Sequence, residues 1–307
     1  MKVIQGLNNL HRIPRGTICS IGVFDGIHRG HQSILEKLVK QAKREKENSL
    51  VITFHPHPSR LVKPEQSPPL LISLRHRIFL MEKMGIDYCL IIPFNKKFAR
   101  ISPLFFVKNI LYKHLGINAL YLGRNFRFGY KQKGDINLLR EMGKQFAFRL
   151  FIVPPVRYGK KIISSSWIRE EVGRGNLDLV SHLLGRHYSL YGRVSRGEGR
   201  GNSLGFPTAN LDVEQEMLPP SGVYLAKAYL ESKDYPALLY IGYRPTFFER
   251  SSLSVEVYLL NFRGNLYGKY LEVELIKKLR GERKFRKISS LISAMKRDEL
   301  SARQFFS

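Results

Sequence analysis

Two histidines stand at a strand-to-helix junction, and this junction restricts the possible folds more than any other part of the chain. An apolar run at 17–23 predicts a buried strand, and apolar residues spaced three or four apart between 34 and 42 predict an amphipathic helix beginning at His31. Between them lie Gly22, Phe24, Asp25, Gly26, His28 and Gly30. Helix starts attract anions, glycine lets a phosphate approach the backbone, and imidazoles donate hydrogen bonds to phosphoryl oxygens. The junction therefore predicts a nucleotide triphosphate site. Alternatively, Gly26 and Gly30 serve only the geometry of the turn and do not contact phosphate.

The first half of the chain alternates strand and helix patterns. We predict strands at 17–23, 49–54, 88–92, 119–122 and 150–153, separated by helices at 31–46, 73–84, 103–115 and 136–145. This alternation indicates a Rossmann-like α/β domain, a parallel sheet with helices on both faces. Ligands bind such sheets beyond the carboxyl ends of the strands. We therefore expect the histidine junction, the run 55–58, and Asn125 with Arg127 to meet at one mouth.

Two further segments are candidates for the same mouth. His55 and His57 alternate with prolines, so they either line a substrate site or sit in a turn shaped by the prolines. Ser164 and Ser165 precede a predicted helix that carries Arg169. The serines could cap this helix, bind phosphate or do both, because capping and phosphate binding use the same amides.

From about residue 186 the pattern changes to short β-rich runs separated by glycine and proline. We predict strands at 187–195, 223–230, 237–242, 253–262 and 271–278 and a final helix at 288–305. Strands at this spacing favour a small antiparallel β-barrel. The sequence thus predicts two domains, 1–185 and 186–307.

Composition narrows the class of protein. The formal net charge of +26 attracts polyanions, but the basic residues are spread along all 307 positions and form no aromatic-basic RNA-binding signature. We therefore expect anionic nucleotide substrates and no specific nucleic acid. The densest basic cluster, 277–287, is interpreted as a solvated face, with collection of anionic flavins as the alternative. The cysteines, Cys19 and Cys89, lie in apolar runs, and no apolar run is long enough to span a membrane. These features predict a cytoplasmic protein, monomeric or weakly self-associating, with no membrane partner.

Motifs in both halves resemble one known family. The first half carries GVFDGIHRGH at 22–31, TFHPHP at 53–58, GRNFRFG at 123–129 and ISSS at 163–166. The second half carries GRG at 199–201, LGFPTAN at 204–210, RPTF at 244–247, VEV at 255–257 and LYG at 266–268. In this order they resemble the bacterial bifunctional riboflavin kinases/FMN adenylyltransferases, also called FAD synthetases. The resemblance covers essentially the whole chain.

The resemblance implies adenylyl transfer in the first half. AMP passes from ATP to FMN by direct attack of the FMN phosphate on the α-phosphorus, and pyrophosphate leaves to give FAD. His28 and His31 are the implied catalytic residues. The implied ATP-binding residues are Gly22, Phe24, Asp25, Gly30, Asn125, Arg127, Ser164, Ser165 and Arg169, with Mg²⁺ bridging phosphate oxygens.

The resemblance implies phosphorylation of riboflavin by ATP in the second half. Glu256 takes the role of the base that accepts the ribityl proton, and Thr208 and Asn210 supply neutral oxygen ligands to Mg²⁺. The implied ATP loop comprises Gly197, Gly199, Arg200, Gly201 and Gly205. The alternative readings are a solvent-facing strand residue for Glu256 and turn chemistry for Thr208 and Asn210.

The chain departs from the family pattern at four positions. Asn202 stands where the family usually has a basic residue, Tyr240 where it has asparagine, Tyr258 where it has histidine and Asn261 where it has aspartate. These departures leave open an FMN adenylyltransferase with a weak kinase. Another nucleotidyltransferase, and a basic RNA-binding or regulatory protein with vestigial sites, are the remaining alternatives.

Overall fold

A computed structural model describes residues 1–196, 205–231, 233–244 and 252–307. It divides into two compact units. The first comprises Met1–Pro68 and Leu74–Ser164, and the second comprises Pro69–Ser73 and Ser165–Ser307. The predicted domain boundary after residue 185 stays a prediction. No helix of the described ranges is long and apolar enough to cross a membrane.

The first unit contains a six-stranded parallel sheet. Its strands are β1 (Lys2–Gln5), β2 (Ile18–Ile21), β3 (Ser49–His55), β4 (Tyr88–Pro93), β5 (Ala119–Gly123) and β6 (Arg149–Val153). They are arranged in the order β1-β4-β3-β2-β5-β6. The predicted α/β fold is confirmed, and the sequence missed only β1. This edge strand has four residues of which Ile4 alone is buried, so it lacks a strong hydrophobic pattern.

Helices cover this sheet. They are α1 (Arg29–Glu45), α2 (Pro58–Val62), α3 (Leu74–Lys83), α4 (Lys96–Ala99), α5 (Pro103–Phe105, continued by the π-helical Phe106–Leu115) and α6 (Ile136–Gln145). Helix α1 packs on β2, β3 and β5. The π-helical segment and α6 bury apolar side chains against Cys19 and Ile21 of β2 in a separate core. Cys19 and Cys89 are both buried, and burial raises the pKa of each thiol, so both stay protonated.

The second unit contains two helices, α7 (Ser165–Arg174) and α8 (Leu177–Leu184), and a closed antiparallel barrel. A short hairpin of the first unit, β7 (Arg157–Tyr158) and β8 (Lys161–Ile162), precedes α7. The barrel strands are β9 (Tyr188–Ser195), β10 (Ala209–Val213), β11 (Gly222–Leu230), β12 (Lys233–Arg244), β13 (Ser252–Leu259) and β14 (Tyr270–Gly281). They pair in the order β10-β13-β12-β11-β14-β9, and β9 returns to β10.

The predicted barrel is confirmed, with one strand more than the sequence indicated. Strand β10 was missed because its five residues follow a proline and read as part of a turn motif. In the structure it pairs with both β9 and β13, so it closes the barrel.

The last helix, α9 (Ile288–Phe306), covers one side of the barrel. Its Ala302 is packed in a core with Val223, Leu238 and other barrel side chains. Arg280 of β14 donates two hydrogen bonds to the Asp298 carboxylate, Nε and Nη2 lying 2.9 and 2.8 Å from Oδ2. The Arg280 and Asp298 side chains are 20% and 10% exposed, so this pair is largely withdrawn from water.

Replacing Asp298 with alanine should destabilise the second unit by about 1–3 kcal/mol, since the Arg280 charge is left without its partner. The chain has one tryptophan, Trp167 in α7, so its fluorescence during urea unfolding reports on this unit. Glu231→Ala is the matched control. Glu231 forms a salt bridge with Lys269, and the Lys269 and Glu231 side chains are 44% and 75% exposed. Removing this exposed pair should change the free energy of unfolding by less than about 0.5 kcal/mol. Equal midpoints for the two variants would contradict this account.

Candidate functional site

The carboxyl end of β2 is the natural ligand crevice of the first unit. Strand β2 lies between β3 and β5, and the chain passes to β3 on one side and later returns to β5 on the other. At such a reversal of strand order the loops diverge and leave an opening beyond the strand ends. The loop from β2 to α1, which carries both histidines, leaves the sheet at this point.

This loop has a tightly constrained backbone. Phe24, Gly26 and Ile27 all have positive φ, at 55°, 86° and 37°. Phe24 and Asp25 are each 2% exposed, so the loop folds inward. Two non-glycine residues in the left-handed region are costly, and such strain persists where the surrounding structure holds it in place.

His28 caps helix α1 with its own side chain. Its Nδ1 accepts the backbone N–H of His31, with the two nitrogens 3.3 Å apart. The two imidazole rings stack with centroids 3.7 Å apart, and the edge of Phe24 packs against His31. Because Nδ1 of His28 is an acceptor, the proton of the neutral ring lies on Nε2, which is therefore a hydrogen-bond donor.

Gly30 is required by the His28 ring. A Cβ at this position would lie 3.0 Å from Cε1 and 3.1 Å from Nδ1 of His28. Its backbone does not need the freedom of glycine, since it lies in the first turn of α1. The glycine therefore serves the placement of the histidine.

His31 is held in its neutral form. Burial lowers its pKa well below the ordinary value, and repulsion from His28 in its protonated form and from the Arg77 guanidinium lowers the pKa further. Its Nδ1 atom is buried and has no hydrogen-bond partner in the described part of the chain.

Arg77 is a residue of this region that sequence reasoning missed. It lies on α3, is 1% exposed, and its Nη1 donates to Oγ1 of Thr53 over 2.9 Å. In the sequence it stands among Arg75, His76 and apolar residues of an amphipathic helix, where arginine is usually a surface residue. Only the packing of α3 in the tertiary structure buries the Arg77 side chain.

A cavity of about 730 Å³ lies beyond the carboxyl ends of β5 and β6. It contains the predicted residues Asn125 and Arg127 and three residues that the sequence did not single out, Arg124, Asn137 and Arg140. Arg127 forms a 3.3 Å ion pair with Asp135. Three arginines at one opening make it suitable for an anionic ligand.

The loop after β3 contains a hydrogen-bonded chain of three side chains. Nδ1 of His57 lies 2.6 Å from Oγ of Ser59, which lies 2.8 Å from Oγ of Ser67. The backbone N–H of Ser59 also donates to Nδ1 of His57. His55 is the exposed last residue of β3. The structure thus orders His57 by specific contacts.

The predicted residues at the start of α7 fall on either side of the division between the units. Ser164 ends the first unit, and Ser165 and Arg169 belong to the second. Nε of Arg169 donates to the carbonyl oxygen of Pro69 over 2.7 Å. Their phosphate-binding role stays a prediction.

A row of polar side chains crosses three strands of the barrel. Glu256 of β13 is directly opposite Asn210 of β10 on one side and Tyr240 of β12 on the other. Directly opposed residues share a sheet face, so the three side chains lie on the same face. Thr208 Oγ1 donates to Oε2 of Glu256 over 3.2 Å, and Ser254 Oγ donates to Oε1 over 3.0 Å. The structure therefore brings the predicted base together with both predicted metal ligands.

The described residues include only one member of the implied ATP loop of the barrel. Gly205 is exposed, and its φ of 83° favours glycine. Gly197, Gly199, Arg200, Gly201 and Asn202 lie outside the described residues.

The other three departures have defined partners. Tyr240 donates to Oε1 of Glu282 over 2.7 Å, and a Cβ at Gly242 would overlap the Tyr240 ring. Tyr258 contacts Glu299 of α9, and Arg303 of α9 donates to the side-chain oxygen of Asn261 over 3.0 Å.

Comparisons with known proteins decide the family. The family model described as FAD synthetase matches residues 10–167, and the one described as riboflavin kinase matches residues 184–306. The chain belongs to the bifunctional riboflavin kinase/FMN adenylyltransferase family. The resemblance identified from the motifs is thus confirmed, and the enzyme combines a nucleotidyltransferase domain with a kinase domain.

Full-length relatives carry the same two-part name. Bifunctional riboflavin kinase/FMN adenylyltransferases from Escherichia coli strain K12 and Haemophilus influenzae are 35% and 34% identical to the enzyme. Each alignment covers 100% of this chain and 98% or 99% of the relative.

A solved structure from Streptococcus pneumoniae, described as a macrolide-efflux protein, has the same fold. It covers 99% of both chains with a TM-score of 0.82 and 27% sequence identity. The name describes that relative, and the shared architecture is what bears on the enzyme.

Replacing Gly30 with alanine should reduce adenylyl transfer by about tenfold or more, because the new Cβ displaces the His28 ring by a few tenths of an ångström. Riboflavin phosphorylation, assayed on the same protein, should not change. Gly173→Ala is the control, since this glycine of α7 meets only the flexible end of Met217. Normal FAD formation by Gly30→Ala would show that the ring position does not matter.

Proposed function

We propose that the two activities of this family are carried out at separate places in this chain, adenylyl transfer at the His28–His31 pair and phosphorylation at the Glu256 row. The observation that supports the first assignment is the cap of α1, which leaves Nε2 of His28 as a donor at the strand-order reversal. The observation that supports the second is the alignment of Asn210 with Glu256.

At the first site the FMN phosphate oxygen forms a bond to the α-phosphorus of ATP, and the bond from that phosphorus to the bridging oxygen of pyrophosphate breaks. No protein nucleophile takes part, so catalysis depends on positioning and charge stabilisation. His28 donates from Nε2 to a phosphoryl oxygen, and the neutral His31 ring supports it by stacking. Gly22, Phe24, Asp25 and Gly30 shape the phosphate-binding loop.

We assign the arginine-lined cavity to the anionic part of a substrate at this same site. Asn125 contacts the nucleotide there, and Arg127 contributes positive charge together with Arg124 and Arg140. Ser164, Ser165 and Arg169 are proposed to bind the departing phosphates.

At the second site Glu256 accepts the proton of the ribityl hydroxyl while that oxygen bonds to the γ-phosphorus, and ADP leaves. The hydrogen bonds from Thr208 and Ser254 orient the carboxylate. Neutral oxygens beside one carboxylate fit a hard cation such as Mg²⁺, so Thr208 and Asn210 would hold it. The ion, when bound, neutralises the charge on the transferred phosphoryl group.

We further propose that the enzyme acts in the cytoplasm on small anionic substrates, as a monomer or weak homo-oligomer. Two buried protonated thiols suit a reducing compartment. The net charge of +26 suits ATP and flavin phosphates without requiring a nucleic acid partner.

Incubation of the purified protein with riboflavin, ATP and Mg²⁺, followed by chromatography of the flavins, tests both assignments. We expect FMN first and FAD second, and neither without Mg²⁺. FAD from supplied FMN but nothing from riboflavin would indicate an inactive kinase domain. No flavin product would reject the proposal.

Two variants test the separation of the sites. His28→Asn keeps an N-cap acceptor but removes the imidazole, so FAD formation should fall by about 10²-fold or more while FMN formation continues. Glu256→Gln should do the reverse, with a loss of about 10²–10⁴-fold in FMN formation. Loss of both steps in either folded variant would contradict two separate sites.

A further inference from the structure

Arg77 is a buried charge directly linked to the loop that carries the histidines. It is 1% exposed, and it lies on α3 beside Leu80 and Met81, which are also buried. Burial lowers its pKa, but the ordinary value is so high that the guanidinium stays protonated. A buried charge is expensive, and an apolar side chain of similar length would usually stabilise such a core at least as well. The stability of the core therefore does not explain why an arginine occupies this position.

The contacts of Arg77 lead to the histidine loop. Its Nη1 donates to Oγ1 of Thr53, and the same hydroxyl donates to the carbonyl oxygen of Val23 over 3.3 Å. Val23 immediately precedes the strained segment of Phe24 to Ile27, which delivers His28 to the start of α1. Arg77 therefore fixes, through a single hydroxyl, the point where the loop leaves the sheet.

The charge of Arg77 acts on the same loop. The groups that interact electrostatically with it are the buried Asp25 in the loop and the Cys89 thiol on β4. The charge of Arg77 also interacts electrostatically with His31. The other titratable group that affects His31 is His28. Since the Asp25 carboxylate and the Arg77 guanidinium are both withdrawn from water, their attraction is weakly screened. Arg77 therefore acts on the histidine loop through its charge as well as through Thr53.

We propose that Arg77 is a positioning residue for adenylyl transfer: through Thr53 it holds the loop that presents His28, and its buried charge acts on His31. The proposal rests on the assignment of adenylyl transfer to His28 and His31. Arg77 contacts neither the substrate nor the reacting atoms, because it acts through the loop.

Steady-state kinetics of FMN adenylylation test the positioning role. Arg77→Met removes the charge and the hydrogen bond, whereas Thr53→Val removes only the hydroxyl that joins Arg77 to Val23. Both should lower kcat/KM by about 10–100-fold, since sub-ångström displacement of catalytic groups has effects of this size. Riboflavin phosphorylation on the same chain should stay within about twofold, and the far-UV circular dichroism spectrum of each variant reports whether the first unit is folded. Lys83→Met, which removes an exposed charge from the same helix, is the matched control and should resemble the wild type.

The imidazole NMR titration of His31 tests the electrostatic role without any substrate. A nearby positive charge disfavours the imidazolium, so removing it in Arg77→Met should raise the pKa of His31. The pKa should remain below its ordinary value, because burial, the largest cause, is unchanged. Thr53→Val retains the charge and should leave the pKa low. The contrast between the two variants separates the effect of the charge from that of the hydrogen bond.

Each outcome bears on the proposal. Adenylylation within about twofold of wild type in both Arg77→Met and Thr53→Val overturns it, as does a His31 pKa that does not move in Arg77→Met. If Arg77→Met fails to fold, as shown by a loss of helical circular dichroism signal, Thr53→Val decides by the same criterion. Undiminished FAD formation by His28→Asn would instead reject the assignment of the site, so the two failures are distinguishable.

Discussion

The hydrogen bond from the backbone N–H of His31 to Nδ1 of His28 is the contact on which the proposed adenylyl-transfer site depends. It begins helix α1, sets the tautomer of His28 and places the two rings face to face. A Cβ at Gly30 would lie 3.0 Å from the His28 ring in this position, and the preceding loop has positive φ at three positions. A helix start is normally capped by a serine or aspartate, which offers an acceptor and nothing more. Here the cap is also the catalytic candidate.

The two sites use different physical means to handle phosphate. In the first unit the helix start, a buried arginine and an arginine-lined cavity supply positive charge from fixed positions. In the barrel a carboxylate, an amide and hydroxyls lie together on neighbouring strands, and the proposed Mg²⁺ would supply the charge that balances phosphate. The first arrangement suits a reaction with no proton to remove from the nucleophile. The second suits a hydroxyl nucleophile, which needs a base.

Three of the residues that depart from the family pattern make specific contacts in the structure. Tyr258 and Asn261 contact Glu299 and Arg303 of α9, the helix that covers the barrel. Tyr240 lies opposite Glu256 and hydrogen-bonds Glu282, so it is the departure closest to the proposed base. Tyr258 and Asn261 thus join the barrel to α9, and Tyr240 shares a sheet face with Glu256 and Asn210.

The sequence by itself determined the two fold classes, the family and the positions of the histidine junction and the Glu256 strand. These follow from the spacing of apolar residues, the placement of glycines and short motifs, which are all local properties of the chain. It missed β1 and β10, whose few residues gain their stability from partners distant in the chain. Only the tertiary structure decided that Arg77 is buried beneath the histidine loop, that Arg124 and Arg140 share a cavity, and that Asn210, Glu256 and Tyr240 form one row. Burial and cross-strand register arise from packing between elements far apart in sequence, and no local pattern records them.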